Sequence, residues 1–139
     1  MEVVASVPAN WSREQAFNAA ATILQQHPDL IGFYANNDGM ALGVVEAVKA
    51  SGKQDQVAVF GTDGISDAYA SIRAGDLAGT VDSFPILTGE IAMEVVLRML
   101  AGQDLPRVVA TPQALITKEN VEDYSTTDQA ELRKILMSQ

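Results

Sequence analysis

Short apolar runs rich in β-formers alternate with longer segments of helical periodicity along most of this chain, and that alternation limits the fold more than any other feature. The runs are Val3–Ser6, Leu30–Tyr34, Val57–Phe60 and Ala78–Val81. The second and third are apolar at successive positions, the pattern of strands covered on both faces in a parallel sheet. Strand, helix, strand with short links implies right-handed crossovers. The expected fold class is therefore α/β, a doubly wound parallel sheet with helices on both faces.

The helices carry their own punctuation. Ser12 and Gln15 form a capping-box pattern, followed by Ala16, Phe17, Ala20, Ile23 and Leu24 and stopped before Pro28. A second helix runs from about Asp38 through Met40, Ala41, Val44, Val45 and Val48 to Gly52. Ser66 is the expected cap of a third, which carries Ala68, Tyr69 and Ile72 and ends at Gly75. A fourth starts near Pro85, is expected to bury Ile91, Ala92, Val95, Val96 and Met99, and stops at Gly102. Arg107–Ile116 looks extended despite Pro112, Lys118–Tyr124 reads as a helical turn, and an Asp128/Glu131 cap pattern precedes a short apolar face of Leu132, Ile135 and Leu136.

Composition removes several function classes. A chain of 139 residues has room for one hydrophobic core. The formal charge of −9 repels phosphate backbones, which makes nucleic acid a poor partner. Cysteine is absent, so there are no disulfides, thiolate metal sites or cysteine nucleophiles. No apolar stretch approaches the ~18 residues of a membrane span. No GxxxxGK[ST] or GxGxxG string cradles a nucleotide phosphate, and neither a cofactor nor a metal is expected. The single His27, beside Pro28 at a helix end, suits the helix dipole and cannot assemble a Ser/His/Asp relay. Asp63 and Asp82 lie at neighbouring strand ends, yet no base or metal-ligand spacing accompanies them. An enzyme is not expected.

In open parallel sheets ligands bind beyond the carboxyl ends of the strands. Here Pro8-Ala9-Asn10-Trp11, Asn36-Asn37-Asp38, Gly61-Thr62-Asp63-Gly64 and Asp82-Ser83-Phe84-Pro85 follow the four runs. Asp38 fits a helix cap, leaving Asn37 to face a ligand. For Asp63, between glycines, a turn-forming role competes with ligand binding. Trp11 either lids the core or stacks on a ligand, and for Ser83 a ligand contact and no ligand role are equally open. A polar–aromatic crevice without catalytic groups suits a hydroxyl-rich ligand: amides and carboxylates bind hydroxyls, and an indole covers a sugar's C–H face.

The stretches "PANWSREQAFNAAATILQQHPDLIGFYANNDGMALGVVEAVKASGK", "VAVFGTDGISDAYASIRAGDLAGTV" and "PILTGEIAMEVVLRMLAG" together resemble the C-terminal lobe of periplasmic sugar-binding proteins of the ribose/allose/galactose type, the receptors of ABC sugar importers. The likeness runs from about residue 2 to 124, with "NND.MALG", "GTDG" and "PA.W.R" as its most specific strings. It implies that Trp11 stacks on the sugar ring, that Asn37 bonds ring hydroxyls and that Asp63 accepts from them. Ser83 stands where ribose and allose receptors have glutamine, with Asp82 before it, a departure that bears on ligand identity.

The resemblance also implies absent parts. Such receptors close two lobes over a monosaccharide in the periplasm and present it to a membrane permease; this chain would be a truncated single lobe, without the N-terminal lobe and without the first strand and helix of its own. The expected organisation is a sugar-binding lobe at 1–105, a hinge-return segment at 106–124 and a tail at 125–139. In the strand order 2-1-3-4-5 the absent strand would lie between Val3–Ser6 and Leu30–Tyr34, leaving unpaired edges. Strand rearrangement, for which Arg107–Ile116 is available, or a second copy of the chain would close that gap. Sugar affinity of the chain alone is then expected to be weak or undetectable. The alternative reading is the effector-sensing domain of a lactose-repressor-like regulator, which an upstream helix-turn-helix would decide.

Overall fold

A computed structural model describes residues 2–126 and 128–137. Met1 in the expected 1–105 lobe, and Thr127, Ser138 and Gln139 in the expected tail, lie outside these described residues. The order of elements is α1 (Arg13–Gln26), β1 (Gly32–Tyr34), α2 (Asp38–Ala50), β2 (Ala58–Asp63), α3 (Ser66–Ala74), β3 (Gly79–Asp82), α4 (Pro85–Leu100), β4 (Ala114–Thr117) and α5 (Gln129–Met137). The sheet runs β1-β2-β3-β4. β1, β2 and β3 are parallel, with Tyr34 opposite Phe60 and Asp63 opposite Asp82. β4 joins β3 antiparallel, Val81 opposite Leu115. The fold class is α/β.

Capping accounts for most helix ends. Ser12 Oγ accepts from the Gln15 N–H at 3.3 Å, while Gln15 Oε1 accepts from Asn10 Nδ2 at 2.9 Å rather than reaching back to Ser12. The buried positions of α1 are the anticipated Ala16, Ala20, Ile23 and Leu24. α1 lies against α2 closely enough that a Cβ on Gly43 would sit 2.1 Å from the Arg13 carbonyl oxygen, so only glycine fits there without displacing α1. Arg13 also pairs with Glu46. Ala68, Tyr69 and Ile72 of α3 are buried, and Gly75 ends that helix at φ 82°. Ser66 does not cap it: the N-cap position is Ile65, with no side-chain bond.

Residues paired across a sheet share a face, and faces alternate along each strand. Val59, Gly61, Thr80 and Ile116 line one face, and all are buried. A Cβ on Gly61 would meet Asp38 and Ala41, which places α2 on this side. Tyr34, Ala58, Phe60, Val81 and Leu115 line the other. Tyr34 is 66 % exposed, and Ala58 and Leu115 are exposed too, so β1 and β2 are not covered on both faces as their apolar sequence suggested.

Two further expectations fail for related reasons. Val3–Ser6 forms no strand; Val3 is 81 % exposed and no ladder reaches this segment, because among the described residues β1 pairs with β2 alone and no strand stands between. Pro8-Ala9-Asn10-Trp11 therefore follows no strand. In α4 Leu87 is buried and Ile91 and Val95 are half-buried; Ala92, Val96 and Met99 are exposed and Leu100 is 80 % so, since no described helix or strand covers them and residues 103–109 only border an open cleft at Val95 and Met99. The base of α4 is fixed instead to the C-terminal segment: Phe84 stacks on Tyr124 at 5.7 Å, and Glu90 pairs with Arg133 of α5 at 3.0 Å. α5 has the expected Asp128 cap, adds Leu132 to the core, and packs Ile135 and Leu136 against it. Of the 107–116 stretch only residues 114–116 enter the sheet, as part of β4 on the β3 edge rather than beside β1.

Candidate functional site

Asn37, Asp63 and Ser83 stand at the carboxyl ends of β1, β2 and β3, three adjacent parallel strands, so the topology gathers them along one rim. Trp11 sits on the turn entering α1, whose first residues pack on the second turn of α2. Its side chain is 71 % exposed.

Two sets of polar side chains share this rim. The first set is used up inside the protein. Asp38 is completely buried, and it does not cap its own helix as anticipated. Its Oδ2 accepts from the N–H groups of Gly64 and Ile65 at 2.8 and 3.0 Å, and its Oδ1 from Thr80 Oγ1 at 2.6 Å. One carboxylate on α2 thus ties the β2–α3 loop to β3, and it satisfies the entrance to a helix that lacks a side-chain cap. Asp82 is 6 % exposed and accepts from Tyr69 Oη at 2.9 Å and from the Phe84 N–H at 2.7 Å. Burial pushes its carboxyl above the usual range, the two donors oppose this, and the charges of Asp38 and Asp63 add to it. The Tyr69 hydroxyl is pushed upward by burial and then by its bond to Asp82.

The second set keeps hydrogen-bonding capacity. Asn37 Oδ1 caps α2 by accepting from the Met40 N–H at 2.7 Å, the role expected of Asp38, while its Nδ2 makes no bond among the described residues. One end of the Asn37 amide is thus spent on the cap and the other is left open. The Asp63 side chain is exposed; partial burial first and the charge of Asp38 second raise its carboxyl, with the Asp38 backbone N–H opposing them. The Ser83 hydroxyl has no bond among the described residues, although its carbonyl accepts from Thr88 Oγ1 at 2.9 Å.

Backbone strain falls on the turn before α1 and on the ends of β2 and β3. Among the described residues, the non-glycine positions at positive φ are Asn10, Trp11, Asp63 and Phe84, at 48°, 59°, 124° and 46°. Such conformations persist where surrounding structure enforces them, and they concentrate at functional sites. Sequence reasoning missed Asp38 as a cross-tie because its partners lie 26, 27 and 42 residues away. It also missed Asp82 as a turn former, for which Asp-Ser-Phe-Pro at a strand end was the available signal. No group of three or more metal-ligating side chains occurs among the described residues.

Comparison with known proteins places the chain in a family. A family model described as a periplasmic binding protein domain matches residues 1–104. The D-ribose/D-allose-binding protein of Pseudomonas aeruginosa is 36 % identical over 121 residues, covering 84 % of this chain and 38 % of that protein. The ribose import binding protein of Bacillus subtilis is 36 % identical over 119 residues, 86 % of this chain and 38 % of its own length. Among solved structures, an ABC transporter periplasmic solute binding protein from Actinobacillus succinogenes with bound D-allose superposes with a TM-score of 0.82 at 36 % identity, over 88 % of this chain and 44 % of that one. The chain thus spans about two-fifths of the length of the curated relatives it matches. It belongs to the periplasmic binding protein domain family.

Proposed function

We propose that the rim is one wall of a monosaccharide cleft in a receptor for ABC-type sugar import, working in the periplasm. In this reading Trp11 stacks on the sugar ring, Asn37 Nδ2 donates to ring hydroxyls, Asp63 accepts from them, and Ser83 makes a short or water-bridged contact. The observation that carries it is the division of labour at the strand ends: Asp38 and Asp82 are consumed by the fold, whereas Asn37, Asp63 and Ser83 retain free capacity, and the Trp11 indole at the entrance to α1 is exposed. The sugars named for the relatives, ribose and allose, set the first ligands to try.

The opposite wall is the other lobe of the receptor. Alone, the chain cannot enclose a sugar. A receptor of about 1 μM Kd that loses half its binding free energy retains a Kd of about 1 mM. We also infer that two copies associate through the outer edge of β1, which no strand of this chain pairs among the described residues.

Trp11 is the sole tryptophan, so its fluorescence reports the rim directly. Titration with D-allose or D-ribose should give a change still growing in the millimolar range and abolished by Asp63→Ala. Saturation at micromolar sugar would refute the one-wall reading, and an unchanged response in Asp63→Ala would remove Asp63 from the site.

A further inference from the structure

The turn after β3 is fixed more firmly than a free surface loop. Asp82 Oδ1 accepts from the Phe84 N–H at 2.7 Å and closes an Asx turn around Ser83. Thr88 holds the Ser83 carbonyl from the other side. Phe84 is kept at φ 46° with its ring stacked on Tyr124.

The carboxylate that closes this turn also supports the neighbouring loop. Tyr69 donates to its second oxygen. Gly64, directly after Asp63, lies so near that a Cβ would sit 2.0 Å from Asp82 Cγ, and its φ of 85° independently disfavours a side chain. The loop that presents Asp63 thus rests on the carboxylate that fixes Ser83.

We propose that Asp82 is a positioning residue of the rim: without touching a ligand it holds Ser83 and the Asp63–Gly64 loop at one spacing, and its ionisation sets how firmly. The proposal rests on the sugar-binding reading for the ligand and on the turn geometry for the coupling.

The groups that act on Asp82 are Tyr69 from α3, Asp38 from α2, Asp63 from β2 and the Phe84 N–H; no cation is among them. Two effects of opposite sign follow. A carboxyl raised in the folded state contributes stability that is present below its unfolded pKa and lost as pH rises through the folded value. The Asx bond works the other way, since it is charge-assisted only when Asp82 is ionised. The turn should tighten over the same pH interval in which Asp82's contribution to global stability declines. A carboxylate that acted only on global stability would move all amides together.

Amide hydrogen exchange of the full chain by NMR between pH 3 and 8, corrected for intrinsic rates, separates these effects. Protection of the Phe84 amide should rise about tenfold through the titration of Asp82, roughly the difference between a charge-assisted and a neutral bond, while core amides do not follow. Asp82→Asn, which keeps an acceptor, should retain protection and lose its pH dependence; Asp82→Ala should lose protection at every pH. Wild-type Phe84 protection that ignores pH overturns the proposal, and that result needs no variant to fold. D-allose added across the series separates the two readings: sugar-induced shifts at Ser83 that weaken as the turn loosens support both. If no shifts occur while the Phe84 result holds, the ligand class falls and the positioning role stands.

Discussion

Asp38 and Asp63 show how two carboxylates at one rim come to do different work. Asp38 is buried against three donors, so Asp38→Ala leaves the N–H groups of Gly64 and Ile65 and the Thr80 hydroxyl without their partner. The expected loss is about 3 kcal/mol or more, measured by urea unfolding; a loss within experimental error would contradict the cross-tie. Asp63 faces solvent, and the structure raises its carboxyl through partial burial and the charge of Asp38. A raised carboxylate adds stability below its unfolded pKa and loses it as pH climbs through the folded one. Asp63→Asn should therefore melt higher than the wild type at pH 7, with the gap closing as the pH falls below the ordinary carboxylate range. A variant less stable at pH 7 would reverse that sign. In an intact receptor, Asp63→Ala should cost about 1.5–3 kcal/mol of sugar binding and Asn36→Ala much less, because Asp63 offers a charged acceptor.

Elements were legible in the sequence wherever local chemistry decides them. The Ser12 cap, the Ala16/Ala20/Ile23/Leu24 stripe and the Gly75 stop all depend on neighbours within a few residues, and all occur. The failures depend on what stands opposite. Val3–Ser6 has strand composition but no described strand bridges it to the open edge of β1, and α4 has an apolar stripe that no described helix or strand buries. The rim divides in the same way. Its location follows from strand ends, which periodicity reveals, whereas the exchange of roles between Asn37 and Asp38 depends on Gly64 and Thr80 approaching from distant sequence. The two ends of α4 should differ accordingly. Amides near Leu87 and Ile91, tied through Phe84–Tyr124 and Glu90–Arg133, should exchange slowly, and those from Val96 to Leu100 faster. Uniform protection along the helix would mean that its apolar stripe is covered in solution.

At the scale of the whole molecule, the sheet ends on one side in β4 and on the other in β1, whose outer edge no described strand of the chain pairs. Light scattering should accordingly find twice the 14.8 kDa chain mass, and a compact monomer would show that the β1 edge needs no partner. NMR mapping of the chain with D-allose and D-ribose decides whether the strand ends form one wall of a sugar cleft. Amide shifts should be confined to the surroundings of Trp11, Asn37, Asp63 and Ser83 and be still unsaturated at about 1 mM sugar. Shifts centred elsewhere, or a rim that stays unmoved through a titration well beyond that concentration, would contradict it.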